Sequence, residues 1–227
     1  MAAAAGLDDL GVRFAHLTDP RAIAVVEALR PAWLTRPQGI DGVGAGLAFH
    51  RYEVVEAYVA TDLEVTVSRT TGLIQVGKVV VAHDCGLIIN PDGLRNQIEG
   101  NVVQAISRTL KEEVQFDARG VTSTVWERNP QFSVYKMQYP VLKFNETPIS
   151  IETILIDHPE KVAWGAGEPA IGIVGGAIGN AVFHAIGLGM RSLPVLPATC
   201  WPHSPPDVKR PRVTIPSSVV SPAARRA

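Results

Sequence analysis

The sequence holds only two cysteines in 227 residues, Cys85 and Cys200, with no Cys-x-x-Cys pair and no Cys/His ligand spacing. A disulfide scaffold, a zinc site and a self-contained iron–sulfur cluster are therefore disfavoured, and no metal ligand is expected from this chain. Charge is scarce too, at 19% of residues against roughly 25% in an ordinary soluble domain. The formal net charge of −1 hides an asymmetry. From Pro194 onward Lys209, Arg210, Arg212, Arg225 and Arg226 face Asp207 alone, a net of +4, which leaves −5 for residues 1–193. An acidic body without a concentrated basic face does not read as a nucleic-acid binder. A basic leader is missing as well: Met1 to Gly6 meets Asp8 and Asp9 before any apolar run of useful length, so the chain carries no secretory signal of its own. Its expected place is within a complex, cytoplasmic or periplasmic.

What is present is apolar surface, 46% of residues, enough at this length to bury a sizeable core. Twenty glycines and 17 prolines exceed the usual share, which implies tight turns and close backbone approaches rather than a coiled coil or helical bundle. Ala170 to Met190 runs without a charge for 21 residues, near the roughly 20 that a bilayer crossing requires. Six glycines, Asn180, His184 and an entry through Pro169 instead suit a helix buried inside protein, so no membrane span is expected.

Asp19-Pro20 predicts a capped helix start, with Ile23, Val26 and Leu29 on one face and Pro31 as its stop. Gly39 to Gly46 reads as a flexible, glycine-rich lead-in to a strand around Val59–Ser68, followed by a turn at Thr71-Gly72 and a nearly continuous apolar strand from Ile74 to Ala82. Asn90-Pro91 repeats the cap-then-proline signature before a helix to about Leu110. Glu113–Phe116 and Ile149–Ile156 read as strands, separated by a loop-rich region with Trp126, Tyr135 and Tyr139, and a last helix runs from Pro169 to about Ile186. Strands and helices mix without regular alternation, so the expected class is α+β, with mixed sheets and a few packed helices. The expected organisation is a helical lead-in over 1–36, a catalytic portion over 37–197, and a Pro-rich basic tail over 198–227 that cannot bury enough to fold alone.

The densest motif is Trp164-Gly165-Ala166-Gly167-Glu168-Pro169-Ala170. Gly165-x-Gly167-x-x-Ala170 satisfies a dinucleotide fingerprint mechanically. Against it, Pro169 deletes an N–H donor, Glu168 puts negative charge where the phosphate belongs, and no acidic residue lies between Pro169 and Pro206 to hold a ribose. Read as a site, two glycines admit a bulky group and Glu168 is a carboxylate held where a helix begins. The helix end favours its ionised form, and burial among Trp164 and apolar neighbours would favour the neutral one, the compromise a general base needs. A helix-capping glutamate stands as the alternative. Gln97, in Gln97-Ile98-Glu99-Gly100, offers an amide that both donates and accepts, against the plain alternative of a solvated helix face. In His83-Asp84-Cys85 adjacent side chains alternate faces, so a buried strand-end cysteine is expected rather than a metal or thiol site.

Taken together, His83-Asp84-Cys85-Gly86, Asn90-Pro91, Arg95-Asn96-Gln97-Ile98-Glu99-Gly100, Tyr139-Pro140, Phe144-Asn145-Glu146-Thr147-Pro148 and Gly165-Ala166-Gly167-Glu168-Pro169 resemble the C-terminal, second molybdopterin-binding part of the large subunit of the xanthine dehydrogenase/aldehyde oxidase family, closest in flavour to its isoquinoline 1-oxidoreductase and nicotinate dehydrogenase members. The resemblance covers about residues 10–197. It implies a molybdenum hydroxylase that inserts water-derived oxygen into an N-heterocycle or aldehyde, with Glu168 as base on the molybdenum-bound hydroxyl and Gln97, Gly165 and Gly167 against the cofactor. It also implies a molybdopterin-type cofactor, the cytosine dinucleotide form among the candidates. The partners it implies are the remaining N-terminal portion of the large subunit, a subunit carrying 2Fe-2S clusters, and a cytochrome or flavin subunit. Family large subunits are several times longer, so the expectation is a split or truncated subunit, inactive in isolation. The competing reading is a catalytically silent remnant that survives as a folded partner-binding module. Ala105 stands where that family commonly has Gly, which would set the cofactor helix slightly farther from its ligand.

Overall fold

The computed structural model describes residues 6, 8–124 and 139–200. Its centre is a four-stranded mixed sheet in the order β1-β2-β3-β6, formed by β1 (Val43–Tyr52), β2 (Ala57–Val67), β3 (Ile74–Asp84) and β6 (Ser150–Leu155). The first three strands are antiparallel neighbours and β6 lies parallel to β3. β4 (Phe116–Asp117) and β5 (Gly120–Val121) make a separate small hairpin. One sheet face is covered by α4 (Pro91–Leu110) and α5 (Ile171–Ile186), the other by α1 (Asp9–His16) and α2 (Pro20–Ala28), with α3 (Arg30–Thr35) beside them. This is an α+β fold, as the composition and motif order imply.

Alternation along each strand divides the core in two. Val59, Val79 and Val81 turn toward α4 and α5, where they meet Ile98, Val102, Val174 and Ile178. Tyr58, Ala60, Val80 and Ala82 turn the other way, toward Val25 and Val26 of α2 and Leu29 just after it. That double coverage explains why β3 reads as a continuous apolar run.

Three local outcomes differ from expectation. Pro31 ends α2 but opens α3, because a fixed φ and a missing N–H suit the first turn of a new helix. The strand expected at Glu113–Phe116 is displaced into the short β4–β5 hairpin. The glycine-rich lead-in is itself part of the regular strand β1. Gly44 and Gly46 face α5 so closely that a Cβ at Gly46 would lie 2.2 Å from the Ala177 carbonyl oxygen. The strand and helix backbones touch there, and the outer edge of β1 is covered in turn: Arg13 and Asn180 both donate to the Leu47 carbonyl, at 2.8 and 2.9 Å.

α5 spans 16 residues with Val174, Ala177, Ile178, Ala181 and Val182 buried. Among the described residues no helix is long and apolar enough to cross a membrane. Trp126, Tyr135 and residues 201–227 of the basic tail lie outside the described residues; Pro197–Cys200 form one short helix, α6.

Beneath the N-terminal helices, Asp62 on β2 is 4% exposed, its Oδ1 without a hydrogen-bond partner. Burial pushes its carboxyl up to about 7. A carboxyl that binds its proton more tightly when folded costs stability as pH rises from near 4, its ordinary value, through 7. Asp62→Asn is therefore expected to stabilise the chain by up to about 4 kcal/mol above pH 7, with the gain vanishing near pH 4. Urea unfolding at pH 8 and pH 4.5 checks this; equal gains at both values would show that Asp62 is ionised at no cost.

Candidate active site

The residues singled out from sequence converge at one end of the α4–α5 face. α4 begins at Asn90, whose side chain accepts the Gly93 N–H at 2.9 Å, with Pro91 in the first turn. Its buried side carries Leu94, Ile98, Val102, Ala105 and Ile106. Gly93, Gln97, Gly100 and Gln104 line its other side at helical spacing, the last three exposed. Ala105 belongs to the buried side, in the core, so its Cβ does not stand between α4 and a ligand on the exposed stripe. That corrects the expectation of a helix held away from its ligand.

The glycine loop leads from β6 across the end of β3, where the Trp164 N–H donates to the Cys85 carbonyl at 3.0 Å. It then passes the exposed stripe of α4. A Cβ on Gly165 would meet nothing within 4 Å, and one on Gly167 would meet only Nε2 of Gln97, at 3.7 Å. Gly167 thus faces Gln97, with Gly165 and Glu168 flanking it in the chain on an open side. The N–H groups of residues 165–168 have no hydrogen-bond partner among the described residues.

Glu168 does not sit as either sequence reading placed it. Its side chain does not cap α5: the cap position is Ala170, which has no side-chain cap bond. Nor is it buried; Glu168 is exposed and Trp164 is 40% exposed, because residues 160–168 run over the surface and only Pro169 and Ala170 turn inward. Its Oε2 instead accepts a hydrogen bond from the Tyr52 hydroxyl at 2.6 Å, and Oε1 has no partner among the described residues. That bond pushes the Tyr52 phenol up to about 12, so it remains a donor across the working pH range.

Two further side chains act on the same turn. His50 Nε2 lies 2.6 Å from the Pro169 carbonyl oxygen, and since a carbonyl only accepts, that nitrogen carries the hydrogen. Asn101 Nδ2 donates to the Gly167 carbonyl at 3.0 Å and to the Gln97 carbonyl at 2.5 Å. None of His50, Tyr52 and Asn101 stands out in the sequence as a site residue. The signal that could find the first two is the alternation Gly44, Gly46, Ala48, His50, Tyr52, one face of β1 whose small residues admit α5 and whose last two members reach the turn before it.

His83, Asp84 and Cys85 do part to different environments. His83 is fully buried with neither ring nitrogen partnered, and burial pulls it down to about 4, so it is neutral. Asp84 points to the opposite face, where Arg21 of α2 grips both its oxygens at 2.7 and 2.8 Å and His158 stands 3.2 Å away. Cys85 is a buried free thiol, pushed up by burial. No group of His, Cys, Asp or Glu among the described residues is arranged to hold a metal ion.

The dinucleotide fingerprint lacks its setting, since β6 ends at Leu155 and α5 starts at Ile171, with no strand leading directly into the glycines. A flat, polar, partly anionic group with many acceptor edges fits the corner better. Unpaired N–H groups, an exposed amide and two missing Cβ atoms are what such a ligand meets. Comparisons with known proteins bear on the family rather than on this corner. Residues 42–137 match the molybdopterin cofactor-binding domain. The chain is 38% identical over 210 residues to a nicotinate dehydrogenase chain of Pseudomonas putida, covering 86% of this chain and 17% of that protein. It is 34% identical over 195 residues to the beta chain of isoquinoline 1-oxidoreductase of Brevundimonas diminuta, covering 84% and 23%. Among solved structures, the aldehyde oxidoreductase from Desulfovibrio desulfuricans superposes with a TM-score of 0.52 at 25% identity, over 66% of this chain and 16% of that one. The chain thus spans about a fifth of the length of the curated relatives it matches.

Proposed function

We propose that this chain, a molybdopterin-binding part of a xanthine dehydrogenase-family protein, forms one wall of a molybdenum hydroxylase active site, with Glu168 as general base and Gln97, Gly165 and Gly167 against the cofactor. Its homologues are molybdenum hydroxylases that act on N-heterocycles or aldehydes, and the substrate proposed here is of the same class. The observation that carries the reading is the Glu168 carboxylate, with one oxygen held by Tyr52 and the other without a partner among the described residues, next in the chain to Gly167, which faces the exposed amide of Gln97.

The overall change converts a substrate C–H and a water into C–OH, releasing two electrons and two protons. When bound, the molybdenum cofactor supplies the two-electron redox chemistry that no side chain here offers. The chain's own part is positional and protolytic. Gln97 and the N–H groups of 165–167 hold polar edges of the cofactor, and the absence of side chains at Gly165 and Gly167 lets it approach the loop. Oε1 of Glu168 takes one of the two protons, the step expected of a positioned carboxylate. The electrons leave through 2Fe-2S clusters on a partner subunit, and from there to a cytochrome or flavin subunit. The cofactor's cytosine dinucleotide form falls within this proposal.

Co-expression of this chain with the remaining large-subunit portion and an iron–sulfur partner should give stoichiometric molybdenum. Gln97→Ala in that assembly is expected to lower molybdenum retention about tenfold, the worth of one or two lost hydrogen bonds. Metal analysis by mass spectrometry reads both. Wild-type assembly without molybdenum would favour the silent, partner-binding remnant, and full retention in the variant would remove Gln97 from the cofactor site.

A further inference from the structure

We propose that Tyr52, His50 and Asn101 are positioning residues that clamp the Gly167-Glu168-Pro169 turn and aim a single oxygen of Glu168 at the reacting centre, an inference that rests on the general-base reading of Glu168. Three consecutive residues are each fixed by a side chain from a packed element. Asn101 of α4 holds the Gly167 carbonyl, Tyr52 of β1 holds the Glu168 carboxylate, and His50 of β1 holds the Pro169 carbonyl. His50 and Tyr52 are two apart on one strand and so share a face, with ring centroids 6.2 Å apart. β1 is itself pinned to α5 by the Gly44 and Gly46 contacts, so the donors and the helix they serve move as one body.

An exposed glutamate on a surface loop ordinarily samples many rotamers. Here Oε2 is occupied by a donor that stays protonated up to about pH 12. Oε1 is thereby left as the oxygen that accepts a proton, and its position is set by the clamp rather than by burial. The other titratable groups facing Tyr52 are Glu53 and Glu56 of the β1–β2 turn, both of which oppose formation of a phenolate. Positioning of this kind acts on the orientation of the reacting groups, where small displacements have large kinetic effects.

The test uses the assembled holoenzyme. Tyr52→Phe is expected to reduce kcat about tenfold with KM within about twofold. Molybdenum content should be unchanged. A crystal structure of the variant should show Glu168 in more than one rotamer. His50→Gln, which keeps a donor, should behave as wild type, whereas His50→Leu should follow Tyr52→Phe. A single wild-type rotamer and an unchanged kcat in Tyr52→Phe would overturn the clamp while leaving Glu168 as base. Full turnover in Glu168→Gln would overturn the base reading instead, and with it the purpose assigned to the clamp.

Discussion

Gly46→Ala is expected to destabilise the chain by about 3 kcal/mol or more, the upper end of what overpacking costs, and to lower its thermal midpoint by about 10 °C. The reason is geometric. The added Cβ would lie 2.2 Å from the Ala177 oxygen, 2.3 Å from the Ala181 nitrogen and 2.9 Å from the Asn180 carbonyl carbon, all backbone atoms of α5. No rotamer change relieves a clash between a strand and a helix backbone, so β1 would have to lift off α5. That movement opens the packing of Ala48, Ala177 and Ala181 and draws Tyr52 away from Glu168. Gly176→Ala is the control. Its Cβ would make one ordinary contact of 3.8 Å, to Ala48, and a helical Gly-to-Ala change is otherwise favourable by up to about 1 kcal/mol. Differential scanning calorimetry of the two variants should separate them clearly; matching midpoints would mean that β1 and α5 are not in backbone contact.

The same contact marks where the sequence was legible and where it was not. Helices with a cap and a proline, such as those starting at Pro20 and Pro91, are announced by local chemistry and lie where that chemistry puts them. The apolar run of β3 is announced by its double burial. β1 was obscured because Gly44, Gly46 and Ala48 lack the bulky side chains by which a strand is usually recognised; their smallness serves α5, about 130 residues later. The site divides in the same way. Glu168 and Gln97 stand out through the motifs around them. Tyr52, His50 and Asn101 matter only through contacts 66 to 119 residues away in sequence, which periodicity does not reveal. The expectation that Glu168 is buried failed because a glycine-rich loop with alternating small residues has little with which to cover itself. Its carboxylate is ordered by a hydrogen bond from a neighbouring strand instead.

The central claim is that the proton-accepting oxygen of this site belongs to Glu168. Replacement by Gln keeps the shape and the hydrogen bond from Tyr52, since an amide oxygen accepts as a carboxylate does, but removes the basicity. General-base catalysis contributes roughly 10²–10⁴-fold to a rate. The fold should be untouched, because the residue is exposed and contributes no packing. The decisive measurement is therefore turnover and molybdenum content of Glu168→Gln in the assembled enzyme, taken from the same preparation. Turnover reduced by about 10³-fold or more with molybdenum content unchanged is the predicted result; turnover near that of the wild type at equal molybdenum content would contradict it.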